Sequence, residues 1–303
     1  MKRIFIAAAA LFGAAAFATP ASANLNVFAC EPEWGALATE IGGDKVNVYT
    51  ATVGGQDPHQ VQARPSLIAR ARTANISVCT GAELEVGWLP LIIQQSGNNR
   101  IAPGQPGSFD ATGAVRLMET PASVDRSQGD IHAAGNPHIQ TDPRNMIPVS
   151  RALAVRFAQL DPGNAATYRS RQADFEQRMS AAIARWAQRA APLRGVPIAV
   201  QHHAWVYLEN WLGMREVAPL EPHPGVPPSS GYLAQVLQRL QQSPARFVIR
   251  AAYEDSRPSE FIGQRARIPA IALPFTVGGD AQATNLFTLY DDTITKLLSG
   301  IGQ

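Results

Sequence analysis

Twice along this chain, short apolar runs alternate with amphipathic helical segments, and that alternation constrains the fold more than any other feature. In the first half "LNVFAC", "KVNVYTA" and "NISVCTG" have strand character. Between and after them lie "PEWGALATEIGG", "RPSLIARARTA" and "AELEVGWLPLIIQQSG", each of helix length. Strands separated by helices of this size cannot form hairpins; they form βαβ crossovers and hence a parallel sheet. In the last third "VPIAVQ", "ARFVIRAA" and "PAIALP" are strands, while "AWVYLENWLGM", "YLAQVLQRLQQS", "RPSEFIGQRA" and "NLFTLYDDTITKLLSGI" are helices. The stretch between them is different. From Pro143 the period is helical, first to Asp161 with an interruption at Pro148, then as a run of roughly thirty residues that would span about 40 Å. Asp161 and Pro162 suit the N-cap and first-turn positions of that second helix. The expected architecture is α/β: two doubly wound lobes with parallel sheets, joined by one long rigid helix. The expected boundaries are 24–161 for the first lobe, 162–192 for the linking helix and 193–303 for the second lobe.

Residues 1–23 are set apart from this fold. "MKRIFIAAAALFGAAAFATPASA" has two basic residues, a short Ala-rich apolar run and a small-x-small site ending at Ala23. This is the pattern of a cleaved export signal, directing the chain to the periplasm. No cysteine stands at the cleavage point to carry a lipid. Without Lys2 and Arg3, 24 basic residues remain against 24 acidic ones. A balanced surface gives no reason to expect nucleic acid or an anionic membrane as partner. The two cysteines, Cys30 and Cys79, end two expected strands. In an oxidising compartment an even pair suggests a disulfide if those strands are neighbours, and two buried thiols if they are not.

Three histidines share a setting. His59 in "QDPHQ" follows a strand-to-helix turn, His138 in "GNPH" precedes a helix, and His202 in "QHHAW" follows the strand "PIAV". Ligands of doubly wound folds gather at the carboxyl ends of strands, so two facing lobes would bring these imidazoles to one cleft. The proline before His59 and before His138 fixes φ and with it the direction of the next side chain. Strand alternation allows only one of His202 and His203 to face that cleft. His132, in the loop "SVDRSQGDIHAAG", is expected as a solvated residue or a transient metal contact, and His223 as a surface residue. Three neutral imidazoles and one oxygen make a tetrahedral zinc site. Asp280 in "LPFTVGGDAQ" is the expected fourth ligand, with Glu221 and Glu254 as weaker candidates.

Taken together and in this order, "DPHQVQARPSLIARARTANISVCTGAELEVGWL", "NPHIQTDPRNMIPVSRALAVRFAQLDPGNAATY" and "HHAWVYLENWLGM" resemble the cluster A-I solute-binding proteins of bacterial ABC importers for zinc and manganese. The resemblance covers nearly the whole chain after the leader. It implies His59, His138 and His202 as ligands, selecting His202 over His203 because the ligand lies three residues before the aromatic Trp205. It implies a monomer that delivers its ion to a membrane permease, with little movement between open and closed forms. The chain departs from the family in three ways. Asn136 precedes Pro137-His138 where aspartate is commoner, no long His-rich loop is present, and the segment around Asp280 aligns poorly. The stretch "LEPHPGVPPSSGYLAQVLQRL" resembles the zinc branch.

An imidazole in the third position suits Zn2+ over Mn2+, so zinc is the expected cargo. A periplasmic metallochaperone is a second conceivable partner. Two rival functions are a periplasmic zinc buffer or chaperone without a transporter, and a zinc hydrolase. The hydrolase would need an open coordination position with a nearby base, and no His-Glu-x-x-His motif occurs.

Overall fold

The computed structural model describes residues 23–121 and 129–302. The leader to residue 22, and residues 122–128 of the loop before His132, lie outside the described residues. Among the described residues, eight strands form two parallel sheets. In the first, β1 (Leu25–Ala29), β2 (Val46–Thr50), β3 (Ile76–Cys79) and β4 (Ser108–Asp110) lie in the order β2-β1-β3-β4. In the second, β5 (Pro197–Val200), β6 (Arg215–Pro219), β7 (Phe247–Ala251) and β8 (Ala270–Leu273) lie in the order β6-β5-β7-β8. All four residues of β3 are buried, as expected for a central parallel strand covered by helices on both faces.

The helices are α1 (Pro32–Gly42), α2 (Pro65–Thr73), α3 (Leu89–Ser96), α4 (Met146–Leu160), α5 (Ala165–Arg189), α6 (Val206–Leu212), α7 (Ser230–Gln242), α8 (Ser256–Ala266) and α9 (Leu286–Gly300). The expected sequence of elements is recovered with four differences, the first being β4, a three-residue edge strand in a stretch with no strand alternation. The segment expected as one helix from Ala82 begins only at Leu89. Residues 82–88 are turns, with Ala82 and Glu83 at positive φ. The cause is Glu85, whose carboxylate accepts from the backbone N–H of Thr80 and Gly81 and wraps the chain around itself. Strand β6 was hidden in sequence because "REVAP" is short, charged and ends in proline; it occupies a sheet edge, where proline is tolerated. Asp161 caps a short 3-10 turn, Pro162–Asn164, and Asn164 stands at the N-cap of α5 instead.

Helix α5 is 25 residues long and buries Tyr168, Phe175, Met179, Ala182 and Trp186 along one stripe. Those side chains belong to a single apolar cluster that also contains Leu37 and Ile41 of α1, Phe157 of α4, Ile249 of β7 and Ile294 of α9. The two lobes therefore share one core. Hydrogen bonds add to it: Tyr290 donates to the Gln140 carbonyl at 2.8 Å, and the Tyr207 hydroxyl accepts from Met118 N and donates to the Asn136 carbonyl. Gly54, in the loop after β2, lets the second lobe approach. A Cβ there would meet the Gly278 carbonyl carbon at 2.2 Å.

Cys30 and Cys79 form a disulfide. Strands β1 and β3 are hydrogen-bonded neighbours, which puts the two sulfurs side by side at the carboxyl end of the sheet.

Candidate metal site

The turn 57–59 is built from its own sequence. Asp57 Oδ1 accepts from the backbone N–H of His59 and from its Nδ1, both at 2.9 Å. Pro58 fixes the residue between. The Pro58 carbonyl accepts from the Trp88 indole at 2.9 Å, so the turn before α3 buttresses this one. His138 repeats the device with an amide. Asn136 Oδ1 bonds His138 N at 3.1 Å and Nδ1 at 2.8 Å. His202, just after β5, uses a distant partner: Glu221 Oε2 at 2.7 Å from Nδ1.

Each ring thus has Nδ1 engaged and turns its other edge inward. Ring centroids lie 5.4 Å apart for His59 and His138, 5.8 Å for His59 and His202, and 5.6 Å for His138 and His202. One nitrogen from each can be chosen so that all three lie within 4.8 Å of one another. Nε2 of His59 and of His138 is buried without a hydrogen-bond partner. Burial and the neighbouring imidazoles hold the His138 pKa well below its ordinary value, so its ring is neutral at pH 7 and has a lone pair to offer. Phe275 packs edge-on against His138 with centroids 5.6 Å apart and closes the site from the second lobe.

The structure does not bring Asp280 to this cluster. Its Oδ1 accepts from Gln282 N and Ala283 N, each at 2.9 Å, and its Oδ2 pairs with Lys296. A turn aspartate already satisfied by two amides and an ammonium is fixed in another role. His132 is the unexpected neighbour. Its ring lies 5.5 Å from His59 and 6.1 Å from His138, centroid to centroid. Both of its nitrogens are buried, and the Ala82 backbone lies beside the ring. Burial chiefly, with help from His59, lowers its pKa to about 4. Only a loop position spoke for it in sequence, and nothing in the period of that loop showed that it folds back.

His203 points elsewhere. It is clamped between Glu119 and Glu216, whose hydrogen bonds raise its pKa to about 10. Its neighbour Asn136 donates to Glu119 Oε2 and to the His203 carbonyl. Beneath the first-lobe loops lie three buried carboxyls. Glu31 accepts from the Thr80 hydroxyl and Glu33 from the Thr276 hydroxyl across the lobes. Burial raises Glu33 and Glu85 to about 7 and Glu31 well above its usual range. Cys30, Cys79 and Glu85 also lie together, but the sulfurs are bonded to each other and are not ligands.

Two parallel-sheet lobes sharing one core through a long helix, with a polar cleft between the carboxyl ends of their strands, define a bilobed solute-binding protein. Residues 27–300 match the ZnuA family, the periplasmic component A of zinc-uptake complexes, and the chain belongs to that family. It is similar to the high-affinity zinc uptake system protein ZnuA of Yersinia pestis, 24% identical over 63% of this chain and 64% of that one. It is also similar to the manganese ABC transporter substrate-binding lipoprotein PsaA of Streptococcus pneumoniae, 21% identical over 79% of this chain and 76% of the relative. Against other curated relatives the chain spans about half of their length or less. A crystal structure of ZnuA superposes with a TM-score of 0.75 at 19% identity, covering 91% of this chain and 99% of that one. The family is one of substrate-binding proteins, not enzymes, and such proteins of ABC importers work with a membrane permease. Its members include both periplasmic proteins and lipoproteins.

Proposed function

We propose that this protein captures Zn2+ in the periplasm between its two lobes, through His59, His138 and His202, and delivers it to the permease of an ABC importer. The observation that carries the reading is the convergence of three inward nitrogens, each on a ring whose Nδ1 is already held by Asp57, Asn136 or Glu221. Such partners fix tautomer and ring orientation and raise ligand basicity. Three imidazoles suit Zn2+ better than Mn2+, which takes oxygen-rich sites. His132, whose nitrogens are buried beside the three rings, supplies the fourth ligand. Asp280 could do so only by leaving Lys296 and two turn amides. The chain works as a monomer whose leader is cleaved after Ala23. The test is native mass spectrometry of the protein as purified and after chelation. One zinc per wild-type chain is expected. His59→Ala, His138→Ala and His202→Ala should each lose it, and retention of zinc by these variants would refute the assignment.

A further inference from the structure

His59 and His202 also line a cavity of about 340 Å³. Asp57, Asp130, Glu221, Glu254 and Asp255 line it. Its one lining cation, Arg257, is occupied by Asp255. The cavity also contains a second group that could hold a metal, sharing His202 with the imidazole cluster: ligand atoms of His202, Glu221 and Glu254 can be chosen within 4.8 Å of one another. Both side chains are held in a way that leaves an oxygen free, and burial raises the Glu254 carboxyl to about 8, so a bound ion would displace its proton. Glu221 uses Oε2 for both His202 Nδ1 and Gly225 N, and Glu254 uses Oε2 for Ala251 N. An independent observation comes from Gln201, which lines the same cavity and is only 4% exposed. Its Nε2 donates to the Asp255 carbonyl at 2.8 Å, while its Oε1 is buried with no partner. A buried amide oxygen without a donor costs free energy, and a water in the shell of a bound cation would supply that donor. Asp130 completes the rim. It comes from the first half of the chain, its N–H bonds the Pro224 carbonyl at 2.8 Å, and a Cβ at Gly225 would meet its carboxylate at 2.1 Å.

We infer that this cavity is a second cation site, which holds one partly hydrated divalent ion on Glu221 and Glu254, with Gln201 and Asp130 contacting it through water. Oxygen ligands and retained waters make it a hard site, suited to Mn2+ or to Zn2+ in transit rather than to tight zinc storage. Glu221 links the two sites: one oxygen orients His202 for the imidazole-bound ion, and the other faces the second one. An ion at the rim would be concentrated beside the imidazoles before it exchanges its waters for nitrogen. The site goes beyond the zinc-capture function, because oxygen ligands can take an ion whether or not the imidazoles do.

The experiment uses MnCl2 as probe on the zinc-loaded full chain, followed by electron paramagnetic resonance and native mass spectrometry. The wild type should take one Mn2+ beyond its zinc. Glu254→Gln, which keeps an acceptor for Ala251 N, should weaken that binding at least tenfold and leave the zinc in place. In a His59→Ala/His138→Ala double variant, which removes the imidazole site, the Mn2+ should remain. Only the free aqueous Mn2+ signal with wild type, equal binding by Glu254→Gln, or loss of Mn2+ together with the imidazoles would each overturn the inference. Failure of the zinc reading is visible separately, as a wild-type chain that takes no zinc at all.

Discussion

Replacing Asn136 with alanine should weaken zinc binding by about 10- to 100-fold, the usual cost of losing the group behind a ligand histidine. That corresponds to about 1.4–2.7 kcal/mol. The side chain makes four hydrogen bonds: Oδ1 to His138 N at 3.1 Å and Nδ1 at 2.8 Å, and Nδ2 to Glu119 Oε2 at 3.2 Å and to the His203 carbonyl at 3.0 Å. His138 is 2% exposed, so water cannot replace the lost acceptor. Its Nδ1–H becomes an unpaired buried donor, and the ring is free to place its proton on the metal-facing nitrogen. At about 1 kcal/mol net per hydrogen bond, the zinc-free protein should lose on the order of 2–4 kcal/mol. Asn136→Asp separates the two effects. It keeps the oxygen that His138 needs, as Asp57 does for His59, but loses both donors and sets a carboxylate against Glu119. Zinc affinity should then stay within about threefold of wild type or improve, while stability falls. Affinity is measured by competition with a chromophoric chelator at pH 7.5, and stability by denaturation of the zinc-free chain. An Asn136→Ala protein that is folded and binds zinc within twofold of wild type would refute the reasoning.

Other substitutions probe the remaining layers. His132→Ala should lower zinc affinity, whereas Asp280→Ala should leave it within about twofold, since an already satisfied group gives nothing to the metal; the reverse order in a chelator titration would exchange their roles. Cys30→Ala/Cys79→Ala opens a cross-link with a sequence separation of 49 residues, for which chain entropy predicts a loss on the order of 4 kcal/mol, read from the denaturation midpoint. Glu33→Gln concerns pH. The Glu33 carboxyl is raised by burial to about 7, so its stabilising contribution is complete below its ordinary pKa and is lost as pH rises through 7. Stability of the zinc-free variant relative to wild type should therefore grow by on the order of 1 kcal/mol between pH 6 and 8.5, and a flat difference would show that the carboxyl is not protonated in the fold. Zinc binding itself should weaken by about tenfold or more from pH 7.5 to pH 5, because protons compete for the imidazoles; equal affinity at both values would exclude imidazole ligands.

The fold was legible wherever periodicity and burial coincide. Strands β1, β3, β5 and β7 are short, mostly apolar and mostly buried, because both their faces are covered. The stripe Tyr168, Phe175, Met179, Ala182, Trp186 gave α5 away at helical spacing. What escaped were elements fixed by single long-range or side-chain bonds. Strand β6 lies at an edge and needs no apolar alternation. The turn before α3 exists because the Glu85 carboxylate captures two backbone amides, which propensity does not register. The disulfide was open in sequence because it depends on β1 and β3 being neighbours, a fact of topology alone.

The site divides along the same line. For His59 and His138 the orienting group lies two residues earlier, across a proline, so the proposed ligand and its support are one local motif, and Asp or Asn can serve the ring alike because only the side-chain oxygen contacts it. For His202 the support is Glu221, nineteen residues away. That carboxylate looked like a rival ligand because its role is set by where β6 ends and not by its neighbours in sequence. Asp280 is the converse case. A glycine pair followed by aspartate after a strand has the form of a ligand loop, but Lys296, one turn beyond the core-facing Thr293 of α9, takes the charge first. A carboxylate near a cleft is less available to an ion when a cation on the adjacent helix already holds it. For that reason the second cation site is placed on Glu221 and Glu254, whose carboxyl groups are bonded by His202 and backbone amides and not by a lysine or arginine, and not on the aspartate that sequence spacing favoured.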